Sequence, residues 1–439
     1  MKSRRWFLLL AACLTCGMAG AIAAAAPKDA LPPPAAVVLQ ELTRRAEQEL
    51  RGNILPFWLK HTRDLARGGF HGLIDAQMKV SKDAPRGALL TSRILWTFSQ
   101  AYRVYHDPEY LAMARWAYRD LMDKFWDKEF GGLYWTITAD GQPQDAHKQI
   151  YGQVFGVYAL AEFYRATGEP PALDQAITLY RLVEQHAHDR TFGGYLDAFD
   201  QKWRPLSDQQ NVLGKAPKSQ NSHIHIMEAY TNLLRVWPDE ELRRNQRDLI
   251  SVTLKHLVDP RTYHLILFTR QDWTPVSDEI SYGHDIELSW LVVEAAAVLG
   301  DPAVIAQVKP VALAMAQATL AEGVDPDGGV INEGNPHGYT NTNKDWWPQA
   351  EAAVGFLNAY QLSRDPRYFT AAQRSWDFIE ARFVDRNYGD WIESVNRAGQ
   401  PLPRPKVTLW KCPYHSSRAC FELIERGHEL LAATPAGEH

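Results

Sequence analysis

Trp126-Asp127-Lys128-Glu129-Phe130-Gly131-Gly132-Leu133-Tyr134-Trp135 sets the architecture, because its frame of an Asp followed four residues later by Gly or Tyr recurs six times. The other copies are Asp64 with Gly68-Gly69-Phe70, Asp189 with Gly193-Gly194-Tyr195, Asp259 with Tyr263-His264, Asp325 with Gly328-Gly329-Val330 (one residue shorter), and Asp385 with Gly389-Asp390-Trp391. A fixed period of roughly 60 to 70 residues marks a repeat architecture. Short apolar runs after the turns, such as Leu133-Tyr134-Trp135 and Val330-Ile331, suit small hairpin strands. Between copies lie two amphipathic segments with apolar residues at three-and-four spacing, for example 93–105 with 110–125, 151–164 with 172–188, and 284–299 with 304–320. Gly168-Glu169-Pro170-Pro171 and Asp301-Pro302 separate such partners. The unit is therefore helix, helix, turn. Six such helical hairpins, joined by loops that carry short β-hairpins, predict an all-α (α/α)6 barrel rather than an open solenoid, since neither end carries a polar capping repeat.

The first helix of each hairpin is expected on the inside, because these starts collect polar residues that an outer helix has no reason to gather. Along the chain they are Arg93 with Trp96, Tyr151 with Gln153, Asn221-Ser222-His223-Ile224-His225, His284-Asp285-Ile286-Glu287, Trp346-Trp347-Pro348-Gln349 with Glu351, and Trp410-Lys411-Cys412-Pro413-Tyr414-His415. Their N-terminal ends converge on one mouth rich in histidine and aromatic rings. Three histidines on separate inner helices suit proton transfer near neutral pH. His284 and Glu287, three apart, share a helix face, so Glu287 is expected to orient His284. His223 points about 200° away from His225 and is read as structural. Of the neighbours Trp346 and Trp347 only one can face the interior, and Trp347 is taken for it.

The segments 221–237, 283–290 and 411–420, with Arg93-Ile94-Leu95-Trp96-Thr97-Phe98-Ser99 and Trp346-Trp347-Pro348-Gln349-Ala350-Glu351, resemble the cellobiose 2-epimerases of the N-acylglucosamine 2-epimerase family. The resemblance spans about residues 35–430, and only the loop 207–219 departs in wording. It implies that His225, His284 and His415 are catalytic together with Glu287. It further implies that Arg93, Tyr151, Asn221, Trp347, Trp410 and Glu351 line a sugar site. The implied reaction is epimerisation at C2 of a reducing-end sugar in cellobiose or mannobiose, through an enediolate whose oxygens Arg93 could stabilise. Two enzymatic alternatives are an aldose–ketose isomerase of mannose or glucose and a glycoside hydrolase on the same barrel. A hydrolase needs two carboxylates, which Asp285, Glu287 and Glu351 could supply, yet leaves three histidines unexplained. A silent sugar-binding protein would need no proton carriers.

Composition agrees with a globular enzyme: 439 residues, 46% hydrophobic, 23% charged, with 15 Trp that could stack on sugar rings or fill a core. Residues 1–26 read as a signal peptide, with Lys2, Arg4 and Arg5 before an apolar run and a small-residue end near Ala26. Ser3-Arg4-Arg5-Trp6-Phe7 resembles a twin-arginine signal, and Leu10-Ala11-Ala12-Cys13 a lipoprotein cleavage box. A periplasmic or secreted protein is expected, with a flexible segment at 27–34, the catalytic barrel at 35–432 and a tail at 433–439. No other stretch reaches the roughly 18 apolar residues of a membrane span. Losing Lys2, Arg4 and Arg5 takes the formal charge from −5 to −8, and no basic cluster remains, so a nucleic-acid partner is disfavoured. Cys412 and Cys420 are read as thiols, and the ligand set for zinc is missing, so neither metal nor cofactor is expected.

Overall fold

The computed structural model describes residues 33–433 apart from 213 and 215; the signal segment 1–26, Cys13 and the tail beyond 433 lie outside the described residues. The helices are α1 (Pro33–Glu49), α2 (Leu55–His61), α3 (Ala88–Tyr105), α4 (Pro108–Asp120), α5 (Ile150–Thr167), α6 (Pro170–His186), α7 (Gln220–Leu234), α8 (Glu240–Val252), α9 (Tyr282–Leu299), α10 (Pro302–Ala318), α11 (Trp346–Ser363), α12 (Pro366–Arg382) and α13 (Tyr414–Ala432). Each of α3, α5, α7, α9 and α11 packs on the next inner helix, and α13 returns to α3, which closes the ring. The second helix of each hairpin packs outside the first. The pairing differs from expectation at one point: five hairpins are consecutive in sequence, while the sixth pair joins α13 to α1 from the opposite end of the chain.

Burial separates the two layers. Every residue of α5 from Ile150 to Phe163 is buried, because an inner helix is covered on both faces. α8 buries only Leu242, Gln246, Leu249 and Ile250, the three-and-four stripe of a helix with one wet face. Four of the five inner-to-outer turns, all but that from α7 to α8, follow one recipe: a left-handed residue, a cap, then Pro at the first helical position. His106-Asp107-Pro108, Gly168-Glu169-Pro170, Gly300-Asp301-Pro302 and Arg364-Asp365-Pro366 all obey it. Outer α10 with its following turn, Pro302–Gly323, is long and apolar enough to cross a membrane by composition. It is an outer helix packed on α9 and α11, against which α10 buries Val308, Ala312, Met315 and Ala316.

A collar of two-residue strand pairs ties each repeat to the next just ahead of the inner helices. Arg86–Gly87 pairs with Thr136–Ile137, Lys148–Gln149 with Ala198–Phe199, Lys218–Ser219 with Phe268–Thr269, Ile280–Ser281 with Glu333–Asn335, and Lys344–Asp345 with Ser394–Val395. The bridge between Ile74 and Val407 completes the circle. The strand expected at Leu133-Tyr134-Trp135 is only a single bridge from Leu133 to Trp126, and Val330 likewise bridges Val324. The ladder proper starts later because Leu133 is engaged by Gln153, as described next.

The repeated Asp earns its recurrence twice over. Its Oδ1 caps the turn, as Asp127 accepts from Glu129 and Phe130 N–H. Its Oδ2 meets a buried cation two residues ahead of the next inner helix: Arg86 on Asp64 at 2.6 Å, Lys148 on Asp127 and Lys218 on Asp189 at 2.8 Å, and Lys344 on Asp325 at 3.1 Å. In the sixth repeat Lys406 holds Asp385 at 2.8 Å from further upstream. The fourth repeat is the exception, with Ile280 at the cation position and Asp259 paired to Arg261 instead. In four of the six inner helices, α5, α7, α9 and α11, the fourth residue then locks the turn: Gln153 accepts from Leu133 N–H, Gln349 from Val330, Asp285 from Leu265 and His223 from Tyr195. Gly132, at φ +75, is required here, since a Cβ would stand 2.8 Å from Gln153 Oε1 and 2.7 Å from the Trp203 ring.

Lys148 and Asp127 are both fully buried. Removing one partner leaves a charge without compensation, so Lys148→Met is expected to cost about 3–5 kcal/mol in chemical denaturation. A loss below 1 kcal/mol would mean that the pair does not hold the turn.

Candidate active site

Helical spacing brings the second, sixth and ninth residues of the inner helices to the ring axis in three layers. The upper layer holds Tyr151, Asn221, Gly283 and Trp347, with His284 beside them. The middle layer holds Arg93, Phe155, His225, Glu287, Glu351 and His415. The lower layer holds Trp96, Tyr158, Glu228, Trp290 and Arg418. Ring contacts between inner helices agree with this reading: Tyr151 meets His225 at 5.1 Å, Phe155 meets Tyr414 at 5.2 Å, and Trp96 stacks on Tyr158 at 5.3 Å. α13 is offset by about one layer, its second and fifth residues, His415 and Arg418, standing in the middle and lower layers.

The three histidines are brought together, each with Nδ1 anchored. His225 Nδ1 bonds Glu228 Oε2 at 2.9 Å, His415 Nδ1 bonds Glu351 Oε1 at 2.7 Å, and His284 Nδ1 lies 2.7 Å from Ser281 Oγ. This arrangement frees Nε2 of each ring for chemistry. Burial, and secondarily the nearby His225, pushes His284 down to about 3. Burial with the cations Arg93 and Arg418 pushes His415 well below the usual range. Burial also lowers His225 against the pull of Glu228. The imidazoles are thus neutral bases at neutral pH. The Trp347 indole touches both His284 (4.6 Å) and His415 (5.7 Å), which puts the two bases around one aromatic surface. Gly283 permits this, as a Cβ there would meet the Trp347 ring at 2.6 Å.

Arg93 is 2% exposed and has no carboxylate partner within ion-pair distance among the described residues. Its Nη2 donates to Tyr151 Oη at 2.7 Å, and its guanidinium lies over Phe155 at 4.3 Å and Tyr414 at 4.9 Å. A buried cation left unbalanced is costly unless an anion joins it, and a developing oxyanion would do so. Asn221 Oδ1 is likewise buried without a partner, while Trp410 stands at the rim, 40% exposed, against Trp135 and Tyr151.

Two expectations are corrected. Glu287 does not orient His284: its Oε1 accepts from Arg418 Nη2 at 2.7 Å, whereas His284 turns back to Ser281. Glu351, expected to line the sugar site, is buried with both oxygens engaged by protein groups, accepting from His415, Trp290 and Arg418. His223 is structural as expected, bonding the Tyr195 N–H and the Ser219 carbonyl, with burial pushing it down to about 4. Gln153, Asp285 and Gln349, gathered with the mouth residues on sequence grounds, are turn locks as well. Sequence reasoning missed Glu228, Tyr414 and above all Arg418, which bonds carboxylates on α7, α9 and α11. The signal was present, because Glu228 and Arg418 stand three residues beyond His225 and His415; the same rule was applied only to His284.

Against burial, Arg418 and His225 hold Glu228 ionised at about 2, whereas burial and the Glu351 charge drive Glu287 far up. Three carboxylates thus compete for one guanidinium, and Glu287 Oε2 has no partner among the described residues. Ligand atoms of Glu287, Glu351 and His415 lie within 4.8 Å of one another, a spacing a metal could use. Arg418 already supplies positive charge to both carboxylates, and His415 Nδ1 is spent on Glu351. Cys412 and Cys420 are free and buried, as expected, with Cys412 Sγ 3.6 Å from Arg93 Nη1.

Comparison with known proteins places this arrangement among relatives. A family model described as N-acylglucosamine 2-epimerase matches residues 68–419. A protein of Bacteroides fragilis named cellobiose 2-epimerase is 42% identical over 388 residues, 87% of this chain and 98% of the relative. The solved structure of cellobiose 2-epimerase from Bacillus thermoamylovorans superposes with a TM-score of 0.84 at 39% identity, covering 88% of this chain and all of that one. A family 76 glycoside hydrolase (mannosidase) from Bacteroides thetaiotaomicron reaches a TM-score of 0.63 at 12% identity, which shares the fold alone.

Arg418→Met strands three buried carboxylates and is expected to cost at least about 3–5 kcal/mol of stability. Glu287→Gln relieves the competition and should change stability by less than about 1 kcal/mol, with either sign. Comparable losses for the two variants in urea titrations would show that the carboxylates are not in excess.

Proposed function

The chain belongs to the N-acylglucosamine 2-epimerase family, and on that premise we propose that it inverts C2 of the reducing-end sugar of a β-1,4-disaccharide, cellobiose or mannobiose. The observation that carries this reading is a pair of neutral, anchored imidazoles, His284 and His415, meeting at the Trp347 ring beside the unbalanced cation Arg93. The names of the relatives support the substrate class. Catalysis starts with opening of the reducing-end ring to the aldehyde. One imidazole Nε2 then takes the C2 proton, and the electron pair moves into the C1–C2 bond as the aldehyde oxygen becomes anionic. Arg93 and the Tyr151 hydroxyl lie where they can hold that oxygen. The other histidine, protonated from solvent, returns a proton to the opposite face of C2. Glu351 stabilises the imidazolium that forms on His415. No atoms are gained or lost.

An aldose–ketose isomerase would share the enediolate but place the returning proton on C1. Inverting hydrolysis is disfavoured because Glu287 and Glu351 are both bound to Arg418 Nη2, and their oxygens sit closer than the roughly 6.5–9.5 Å of an inverting pair. The charged and apolar pattern of residues 1–26 supports work outside the cytoplasm, in the periplasm or beyond the cell.

Turnover of cellobiose in D₂O is expected to give the C2 epimer with deuterium at C2 and intact glycosidic bonds, read by loss of the C2 proton signal in NMR. Full retention of the original hydrogen would overturn the two-base scheme. His284→Asn and His415→Asn should each lower kcat by roughly 10²- to 10⁴-fold. Residual activity above about a tenth would remove that histidine from the scheme. Because Arg93 and Arg418 supply the positive charge, exhaustive chelation should leave the rate unchanged. A loss restored by zinc or manganese would refute that assignment.

A further inference from the structure

Ser281 occupies the N-cap of α9, a position where serine ordinarily accepts a hydrogen bond from a backbone N–H of the first turn. Ser219, at the same place on α7, does so, accepting from Ser222 N–H at 3.2 Å. Ser281 does not cap its helix. Its hydroxyl lies 2.7 Å from His284 Nδ1, and Ser281 itself is only 6% exposed. A residue that gives up a stabilising local role for a contact to a reacting group marks a functional compromise.

The surroundings of α9 fit that reading. The helix start is held independently of Ser281, by Asp285 on Leu265 N–H at 2.7 Å and on His264 Nδ1 at 2.7 Å. The cap is therefore expendable for folding. The Trp347 indole covers one side of the His284 ring, so a bond at Nδ1 leaves the imidazole a single orientation. The two bases also differ in their anchors: His415 has the carboxylate of Glu351, which only accepts a hydrogen bond, while His284 has a hydroxyl, which can accept from a protonated Nδ1 or donate to a bare one.

We propose that Ser281 is a positioning residue for His284, holding the ring through Nδ1 so that Nε2 is aimed to take or give the C2 proton, and thereby governs one face of the sugar only. This rests on the two-base epimerase reading above. With Ser281 intact, a proton taken on one face is followed by delivery on the other. Without it, His284 is out of register while His415 still works. A disaccharide epimer whose C2–H faces His415 then loses that proton to His415, and His415 exchanges it with solvent and returns deuterium to the same face. The C2 hydrogen is exchanged without inversion. The opposite epimer, whose C2–H faces His284, neither exchanges nor inverts.

The test is C2 deuterium incorporation measured by NMR against epimer formation, starting separately from cellobiose and from its C2 epimer in D₂O, with wild type, Ser281→Ala and Ser281→Thr. For Ser281→Ala we expect the ratio of exchange without inversion to epimerisation to rise by about tenfold or more from one epimer, while exchange and epimerisation are both lost from the other. Ser281→Thr, which keeps the hydroxyl, should restore the wild-type ratio. Should Ser281→Ala not fold, Ser281→Cys carries the same expectation, since a thiol is a poor partner for Nδ1. Equal loss of exchange and epimerisation from both epimers, or a Thr variant that behaves like Ala, would overturn the role. Absence of C2 label in the wild type would instead refute the two-base reading itself.

Discussion

One guanidinium organises the interior. Arg418 projects from α13 into the ring axis and bonds Glu228 of α7, Glu287 of α9 and Glu351 of α11, so four of the six inner helices are tied at a single point. Two of those carboxylates pass the constraint upward, Glu228 to His225 and Glu351 to His415. His225 is thus aimed by a carboxylate one layer below it and His415 by one in its own layer, and both carboxylates are fixed by a group that cannot lose its proton. The upper face of the layer carries the opposite imbalance in Arg93, a cation with aromatic neighbours and no carboxylate. Placing the surplus negative charge below and the unpaired positive charge where an oxyanion forms is electrostatic preorganisation in the plain sense: the dipoles and charges are set before substrate arrives.

The ring that supports this centre was open to sequence reading because its signals are local and repeated. Six Asp turns and Asp-Pro or Gly-Glu-Pro helix starts act over a few residues, and tertiary packing has no reason to override them. The site was legible to the extent that its chemistry sits at helix starts, and His225, His284, His415, Arg93, Tyr151 and Trp347 do converge. What stayed hidden depended on side chains choosing between partners. A carboxylate three residues after His284 could bond it by spacing alone, yet Arg418, distant in sequence, offers Glu287 a charged partner and wins. Gln153, Gln349 and His223 look alike for catalysis or structure in one dimension, and only the turn N–H groups they accept from decide the matter. The pairing of α1 with α13 was hidden for a related reason, since no local feature joins the two ends of a chain.

The fourth repeat shows how a repeated frame yields to function. Elsewhere a buried Lys or Arg ahead of the inner helix neutralises the turn Asp, but here Ile280 stands in its place and Tyr263 and His264 replace the glycine pair. The turn is instead held from the helix side, by Asp285 on His264 and Leu265. This is also the repeat whose N-cap hydroxyl turns to His284. Departures from the shared pattern thus gather on the inner helix that carries His284.

The union of the first and last helices has a consequence for the life of the chain before it is finished. Synthesis proceeds from the N-terminus, and the five consecutive hairpins can form as they emerge. α1 must wait without its partner until the final helix leaves the ribosome. The same late segment delivers His415 and Arg418, so the nascent molecule holds three carboxylates facing an empty seat and lacks one of its two bases. Any product that ends before α13 therefore leaves the ring open and lacks His415 and Arg418. Completion of translation and the acquisition of a working centre become a single event.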